Sequence, residues 1–234
     1  MIPAFCAQGD SIGGVAHTGV MIQAYQKEFL DFVIASQVLR FGAFTLKSGR
    51  MSPYFFNSGL FNTGGRLAQL GRYYAHAILD SGLAFDMLYG PAYKGIPLVS
   101  AAAMALADQH GRDVPYAFNR KEAKDHAEGG RLVGAALAGR VLIIDDVISA
   151  GLSVAESVEV IRGASATPAG VVIALDRQER GQGGASAVKE AEQRYGLRVV
   201  SIANLATLIR YLEASPVAGA DLAAIRAYAE KYRA

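Results

Sequence analysis

The chain has 234 residues, of which 52% are hydrophobic and 19% charged, with a formal net charge of +2. That length can bury one sizeable core, and the composition is globular rather than that of a disordered chain. The small net charge excludes a nucleic-acid-binding coat, so any basic function has to sit in a local cluster.

Cys6 is the only cysteine. It excludes an intrachain disulfide and suits a reducing, cytoplasmic setting. No apolar run reaches membrane-spanning length, Ile96 to Ala107 coming closest. Residues 1–20 lack the basic start and continuous apolar stretch of a signal peptide, and they carry few charges and four glycines. They are expected to form a disordered extension before a single domain over 21–234, with Met21 as an alternative start.

In chain order, Tyr25 to Leu39 has the apolar spacing of an amphipathic helix. Phe44-Thr45-Leu46 and Tyr54-Phe55-Phe56 flank Lys47-Ser48-Gly49-Arg50, which predicts a strand pair around a turn. Leu67 to Leu79 predicts a second helix, stopped by Gly82. A regular alternation follows. Strands are expected at Met87–Tyr89, Tyr116–Phe118, Val141–Ile144, Val171–Leu175 and Val199–Ile202. Helices are expected at Ile96–Ala107, Val154–Ile161, Ala187–Tyr195, Leu205–Leu212 and Asp221–Tyr232. Strands alternating with helices imply an α/β fold whose mainly parallel sheet is covered on both faces. Ligands then bind beyond the carboxyl ends of the strands.

One such end stands out. The apolar strand Val141–Ile144 runs into Asp145-Asp146, then Val147-Ile148-Ser149-Ala150-Gly151-Leu152-Ser153, then a helix. Adjacent carboxylates at a strand end are costly to desolvate without donors, and sugar hydroxyls or a divalent cation would serve. The small loop leads to a helix N-terminus, where free N–H groups and the helix dipole favour an anion. A phosphoribose fits both halves. Two other readings compete: Ser153 and Glu156 have the spacing of a capping box, and an Asp-Asp strand end also suits an NTPase metal site. That last site needs a Gly-Lys-Ser/Thr phosphate loop, which the chain lacks. Gly181-Gln182-Gly183-Gly184 follows no strand directly and is not a dinucleotide fingerprint.

Val141 to Ser153 resembles the phosphoribosyl pyrophosphate (PRPP) motif of the type I phosphoribosyltransferases. Further segments, in the same order along the chain, resemble the bacterial orotate phosphoribosyltransferases. They are Phe44 to Arg50, Ser52 to Asn57, Gly90-Pro91-Ala92-Tyr93-Lys94-Gly95-Ile96-Pro97, Phe118 to His126, and Leu175 to Gly181. The resemblance runs from about Tyr25 to the C-terminus. It implies the type I fold with a small N-terminal hood.

It also implies an activity: transfer of ribose 5-phosphate from PRPP to N1 of orotate, giving orotidine 5′-monophosphate and pyrophosphate. Mg²⁺ would arrive on the pyrophosphate, with no protein side chain as a direct metal ligand. The implied catalytic set is Lys124, His126, Asp145 and Asp146. PRPP would be bound by Lys47, Tyr93, Lys94, Arg120, Lys121, Lys124 and His126, and by each residue from Asp145 through Val147, Ile148, Ser149, Ala150, Gly151 and Leu152 to Ser153. Orotate would meet Phe55, Phe56, Ser149 and Arg177. Lys47 is a ligand contact on either substrate. The family pattern further implies a homodimer with shared active sites, no nucleic-acid partner and no membrane.

Each residue also has a plainer reading. Lys94 is by default an exposed turn lysine, Phe55 and Phe56 are core aromatics, and Arg177 pairs with Asp176 or Glu179. By composition, Arg120 to Arg131 is a solvated loop. The resemblance makes it a lid over PRPP. Ser149 replaces a common threonine and keeps its hydroxyl. Leu152 replaces another and cannot donate, with Ser153 beside it as the substitute. His17, His76 and His110 are read as structural or surface residues. Two rivals remain at this level: a phosphoribosyltransferase for uracil or a purine, and a regulator that binds DNA or RNA.

Overall fold

The computed structural model describes residues 22–46, 48–124, 130–148, 151–181 and 184–234, without the side chains of 122–124 and 130. The expectations for residues 1–20, Met21, Lys47, His126, Ser149 and Ala150 therefore lie outside the described residues.

The chain begins with helix α1 (Ala24–Ala35) and a two-stranded antiparallel hood of β1 (Leu39–Thr45) and β2 (Met51–Phe56). The predicted first helix is shorter than its apolar spacing suggested. Ser36 caps it, Gln37 turns the chain at φ 60°, and Val38 and Leu39 enter the core from the hood instead. Side chains at both 3.6- and 2-residue periods were apolar here, so the pattern could not mark the switch.

A short 3₁₀ turn (Ser58–Leu60) leads to α2 (Gly64–Ser81). There follow β3 (Met87–Gly90), α3 (Gly95–His110), β4 (Tyr116–Lys124), β5 (Gly130–Gly134), β6 (Arg140–Asp145) and α4 (Leu152–Gly163). The chain ends with β7 (Thr167–Asp176), α5 (Ala187–Tyr195), β8 (Val199–Asn204), α6 (Leu205–Ala214) and α7 (Leu222–Tyr232). Local chemistry sets many of these limits. Thr63, Ser186, Asn204 and Asp221 each accept a backbone N–H three residues on, at 3.3, 3.1, 2.9 and 2.9 Å. Gly82 closes α2 in the left-handed region at φ 65°.

The main sheet has the order β5-β4-β3-β6-β7-β8, all parallel except the β4–β5 pair. Alternating side chains of its strands feed two cores. Leu88, Leu142, Ile144, Val172 and Ile202 pack with α1, α2, α3 and α6, whereas Met87, Tyr89, Val141, Ile143 and Ile173 pack with α4 and α5. The segment predicted as a loop from Arg120 is instead an edge hairpin: β4 runs on to Lys124 and pairs antiparallel with β5, Asn119 opposite Leu132 and Lys124 opposite Gly130. Beyond Phe118, β4 has no β3 partner and pairs only with the edge strand β5, so the charged side chains of Arg120 and Lys121 stay near water, which is why composition alone read as loop.

Candidate active site

Strand order decides where a ligand can sit. From β3 the chain steps one way to β4 and the other way to β6, so the strand order reverses between the parallel neighbours β3 and β6. In a parallel sheet the crevice lies there, beyond the carboxyl ends. The loop after β3 carries Tyr93 and Lys94, while Asp145 ends β6 and Asp146 opens the loop after it. The two loops meet: Lys94 Nζ donates to Asp146 Oδ2 at 2.7 Å.

The acids are buried, each 6% exposed, and well supplied with donors. The Asp146 carboxylate also accepts from the Ser58 hydroxyl at 2.5 Å and from the Val147 N–H at 2.8 Å. The Asp145 carboxylate accepts from the Asp146 N–H at 2.9 Å and from the Ser153 hydroxyl. Burial, and then the adjacent Asp146 charge, push Asp145 up to about 6. The buried Tyr74 hydroxyl donates to the Asp145 carbonyl at 2.7 Å and fixes the end of β6. The Asp146 carbonyl accepts the Ala174 N–H of β7 at 2.9 Å.

Helix α4 does not start as a capping box. Gly151, at φ 69°, takes the N-cap position and no side chain caps the helix. Ser153 thus falls inside the first turn with its hydroxyl on Asp145, and Leu152 beside it is 70% exposed. The free N–H groups of that turn remain an anion-favouring end.

The loop after β3 needs close backbone approach. A Cβ on Gly90 would lie 2.2 Å from the Gly95 carbonyl oxygen, so only glycine fits. The Ala92–Tyr93 peptide is cis. The Ala92 N–H donates to Asn119 Oδ1 at 2.8 Å, and Lys121 Nζ lies 5.2 Å from the Tyr93 ring centre. The charged hairpin is thereby tied to the Tyr93–Lys94 loop.

A second cluster lies past the adjacent strand β7. Arg177 stacks over the Tyr54 ring at 4.3 Å and donates to Glu179 at 2.7 Å and to the Ser52 hydroxyl at 3.0 Å. Burial opposes its charge, but Tyr54 and Glu179 more than offset that and hold the guanidinium firmly cationic. In the hood, Phe55 and Phe56 are half-buried, packed on Phe44 at 5.5 Å and Phe61 at 6.3 Å.

A sequence profile of the phosphoribosyl transferase domain family matches residues 60–183. The chain is 60% identical over 211 residues to the orotate phosphoribosyltransferase of Edwardsiella ictaluri, covering 90% of this chain and 99% of that one. It is 59% identical, over the same extent, to that of Salmonella newport. The chain belongs to the orotate phosphoribosyltransferase family. A crystal structure of the Francisella tularensis orotate phosphoribosyltransferase superposes with a TM-score of 0.80 at 43% identity, covering 88% of this chain and all of that one.

Of the residues that sequence reasoning assigned to an orotate phosphoribosyltransferase site, Tyr93, Lys94, Asp145, Asp146, Val147 and Ser153 come together at the β3–β6 crevice. Arg120 and Lys121 lie on the adjoining hairpin strand, as does the backbone of Lys124, and Arg177 follows the neighbouring strand β7. Ile148 packs into the core on the α4 side. His76 and His110 meet edge to face at 5.4 Å with Tyr25 stacked on His76, away from both clusters. Sequence reasoning missed Ser58, Tyr74, Asn119 and Ser52, which contact the site from distant segments. Of the two acids it offered as partners of Arg177, the structure pairs Glu179.

Proposed function

We infer that this chain carries the reaction of its family: orotate N1 bonds to C1 of the ribose as the bond from C1 to the pyrophosphate oxygen breaks. The observation that carries this is 60% identity along 99% of an orotate phosphoribosyltransferase. Positive charge grows on the sugar and negative charge on the leaving group, as in other glycosyl transfers through oxocarbenium-like states. The residues divide the work accordingly. Asp145 and Asp146 hold the ribose hydroxyls and favour the cationic ring. Tyr93, Lys94, Arg120, Lys121, Lys124 and His126 receive the pyrophosphate. The loop from Val147 through Ser149, Ala150, Gly151 and Leu152 to Ser153 takes the 5-phosphate, with the N–H groups at the start of α4. Phe55 and Phe56 frame the flat base, and Arg177, Ser149 and Lys47 bind its polar edge or the adjoining phosphate.

Among the described residues no three histidine, cysteine, aspartate or glutamate side chains form a metal cluster. Mg²⁺ would be carried by the pyrophosphate of PRPP rather than by a protein side chain, and would supply neutralisation of the leaving charge. The hairpin carrying Arg120 and Lys121 acts as a lid, excluding water that would hydrolyse PRPP. The family pattern supports a cytoplasmic homodimer with sites shared between subunits. Among the described residues no helix is long and apolar enough to cross a membrane.

The test is direct. Purified protein with PRPP and Mg²⁺ is offered orotate, uracil and hypoxanthine, and products are separated by chromatography. Orotidine 5′-monophosphate and pyrophosphate should form from orotate alone, and only with a divalent cation. Turnover of uracil or hypoxanthine with none of orotate would overturn the reading.

A further inference from the structure

Glu179 follows β7 by three residues, and its side chain is only 12% exposed. A carboxylate that far from water requires donors. Oε1 takes Arg177 at Nε, 2.7 Å, and at Nη2, 2.6 Å, while Oε2 faces Arg50 Nη1 at 3.6 Å. One carboxylate between two guanidinium groups leaves the cluster with a net positive charge.

Arg177 is restrained on three sides. The Tyr54 ring covers its face, Glu179 holds the edge formed by Nε and Nη2, and Ser52 accepts from Nη2. Neither Glu179 nor Ser52 engages Nη1, and the Tyr228 hydroxyl adds a further contact to the same Arg177–Glu179 pair. The segment bearing Glu179 is itself pinned by the end of the chain. Arg180 N–H donates to the Tyr232 carbonyl at 2.7 Å, and Ala234 N–H to the Gln178 carbonyl at 3.1 Å. Arg50 completes the brace, donating to the Arg180 carbonyl at 2.8 Å and stacking 4.9 Å from the Tyr232 ring centre.

We propose that Glu179 is a positioning residue for base recognition: it locks the Arg177 guanidinium in one orientation, so that the Nη1 arm is presented to the planar, anionic base. The proposal rests on the reading of Arg177 as an orotate contact. An arginine without such a brace would lose several rotors' freedom on meeting its ligand. Here that ordering is complete before the base arrives. On this proposal the effect of Glu179 passes through Arg177, its hydrogen-bond partner.

Steady-state kinetics of Glu179→Ala, Glu179→Gln, Arg177→Ala and the two doubles tests this. Glu179→Ala should raise KM for orotate about tenfold, the scale of a lost charge-assisted hydrogen bond, and leave KM for PRPP nearly unchanged. Glu179→Gln keeps an acceptor for the Nε–H and should show a smaller rise. In the Arg177→Ala background neither substitution should raise orotate KM further, because the residue it positions is gone. Effects that multiply in the doubles, or equal rises in both KM values, would overturn the proposal. If Glu179→Ala does not fold, Glu179→Gln and its double make the same comparison, and an unchanged orotate KM in Glu179→Gln overturns it. Wild-type turnover of orotate separately tests the reaction. An unchanged orotate KM in Arg177→Ala removes the base contact, and with it this proposal, while leaving the reaction standing.

Discussion

Lys94 and Asp146 are 52 positions apart in the chain, and their ammonium and carboxylate groups meet at 2.7 Å. The pair is lopsided: the lysine side chain is 61% exposed and the aspartate 9%. Asp146 is held by Ser58 and by the Val147 N–H as well, whereas Lys94 sits in water and can exchange partners. On the proposed mechanism the lysine leaves the acid for the arriving pyrophosphate, and the acid is released to the ribose.

Asp146→Asn is expected to fold. The amide oxygen can still accept the Val147 N–H, but the amide NH₂ then faces the Lys94 and Ser58 donors. We expect kcat/KM to fall about a hundredfold, the scale for losing one preorganised electrostatic group. Thermal melts establish folding and steady-state assays the rate. A normal rate in a folded variant would make the acids structural.

Asp145 sets a pH dependence of stability. Its folded value, about 6, lies above the ordinary 3.8, so the folded state binds the proton more tightly. The resulting stabilisation is complete below the unfolded value and is lost as pH rises through about 6. Asp145→Asn has no charge to bury. It should be more stable than the wild type near pH 8, by at most about 3 kcal/mol, and so melt higher, with the gain shrinking away as pH falls below about 4. Melting curves across that range decide it, and a gain independent of pH would refute the assignment.

Shared sites predict complementation. Lys124→Ala and Asp146→Asn are each expected to inactivate, but co-refolded mixtures should recover activity. If the lid serves the partner subunit, a mixed dimer has one doubly damaged site and one intact site. Random pairing then restores roughly a quarter of all sites. No recovery, with mixed dimers demonstrated by mass spectrometry, would place Lys124 in its own subunit's site.

Deletion of residues 1–20 should leave activity and melting temperature nearly unchanged, since the match to the relatives covers 90% of the chain. A large loss of either would show that the segment contributes to the domain.

The sequence by itself determined the alternation of apolar strands and periodic helices, because side-chain period and end caps act within a few residues. Asp221, Asn204, Ser186 and Gly82 each mark their helix end without reference to the rest of the chain. The run of Val141–Ile144 into two acids likewise pointed to a site before any fold was known. Partner choice was not local. Lys94 meets Asp146 only because β3 and β6 are neighbours in the sheet, and Glu179 holds Arg177 against Tyr54 only because the hood folds over the end of β7. The same holds for the edge hairpin at Arg120, whose charged residues form strands because β5 pairs with β4. The helix at Ala35 also stops early because Val38 and Leu39 are drawn into a core built from α2 and α6. These outcomes depend on burial and pairing between segments far apart in sequence. Such terms exist only once the chain has packed.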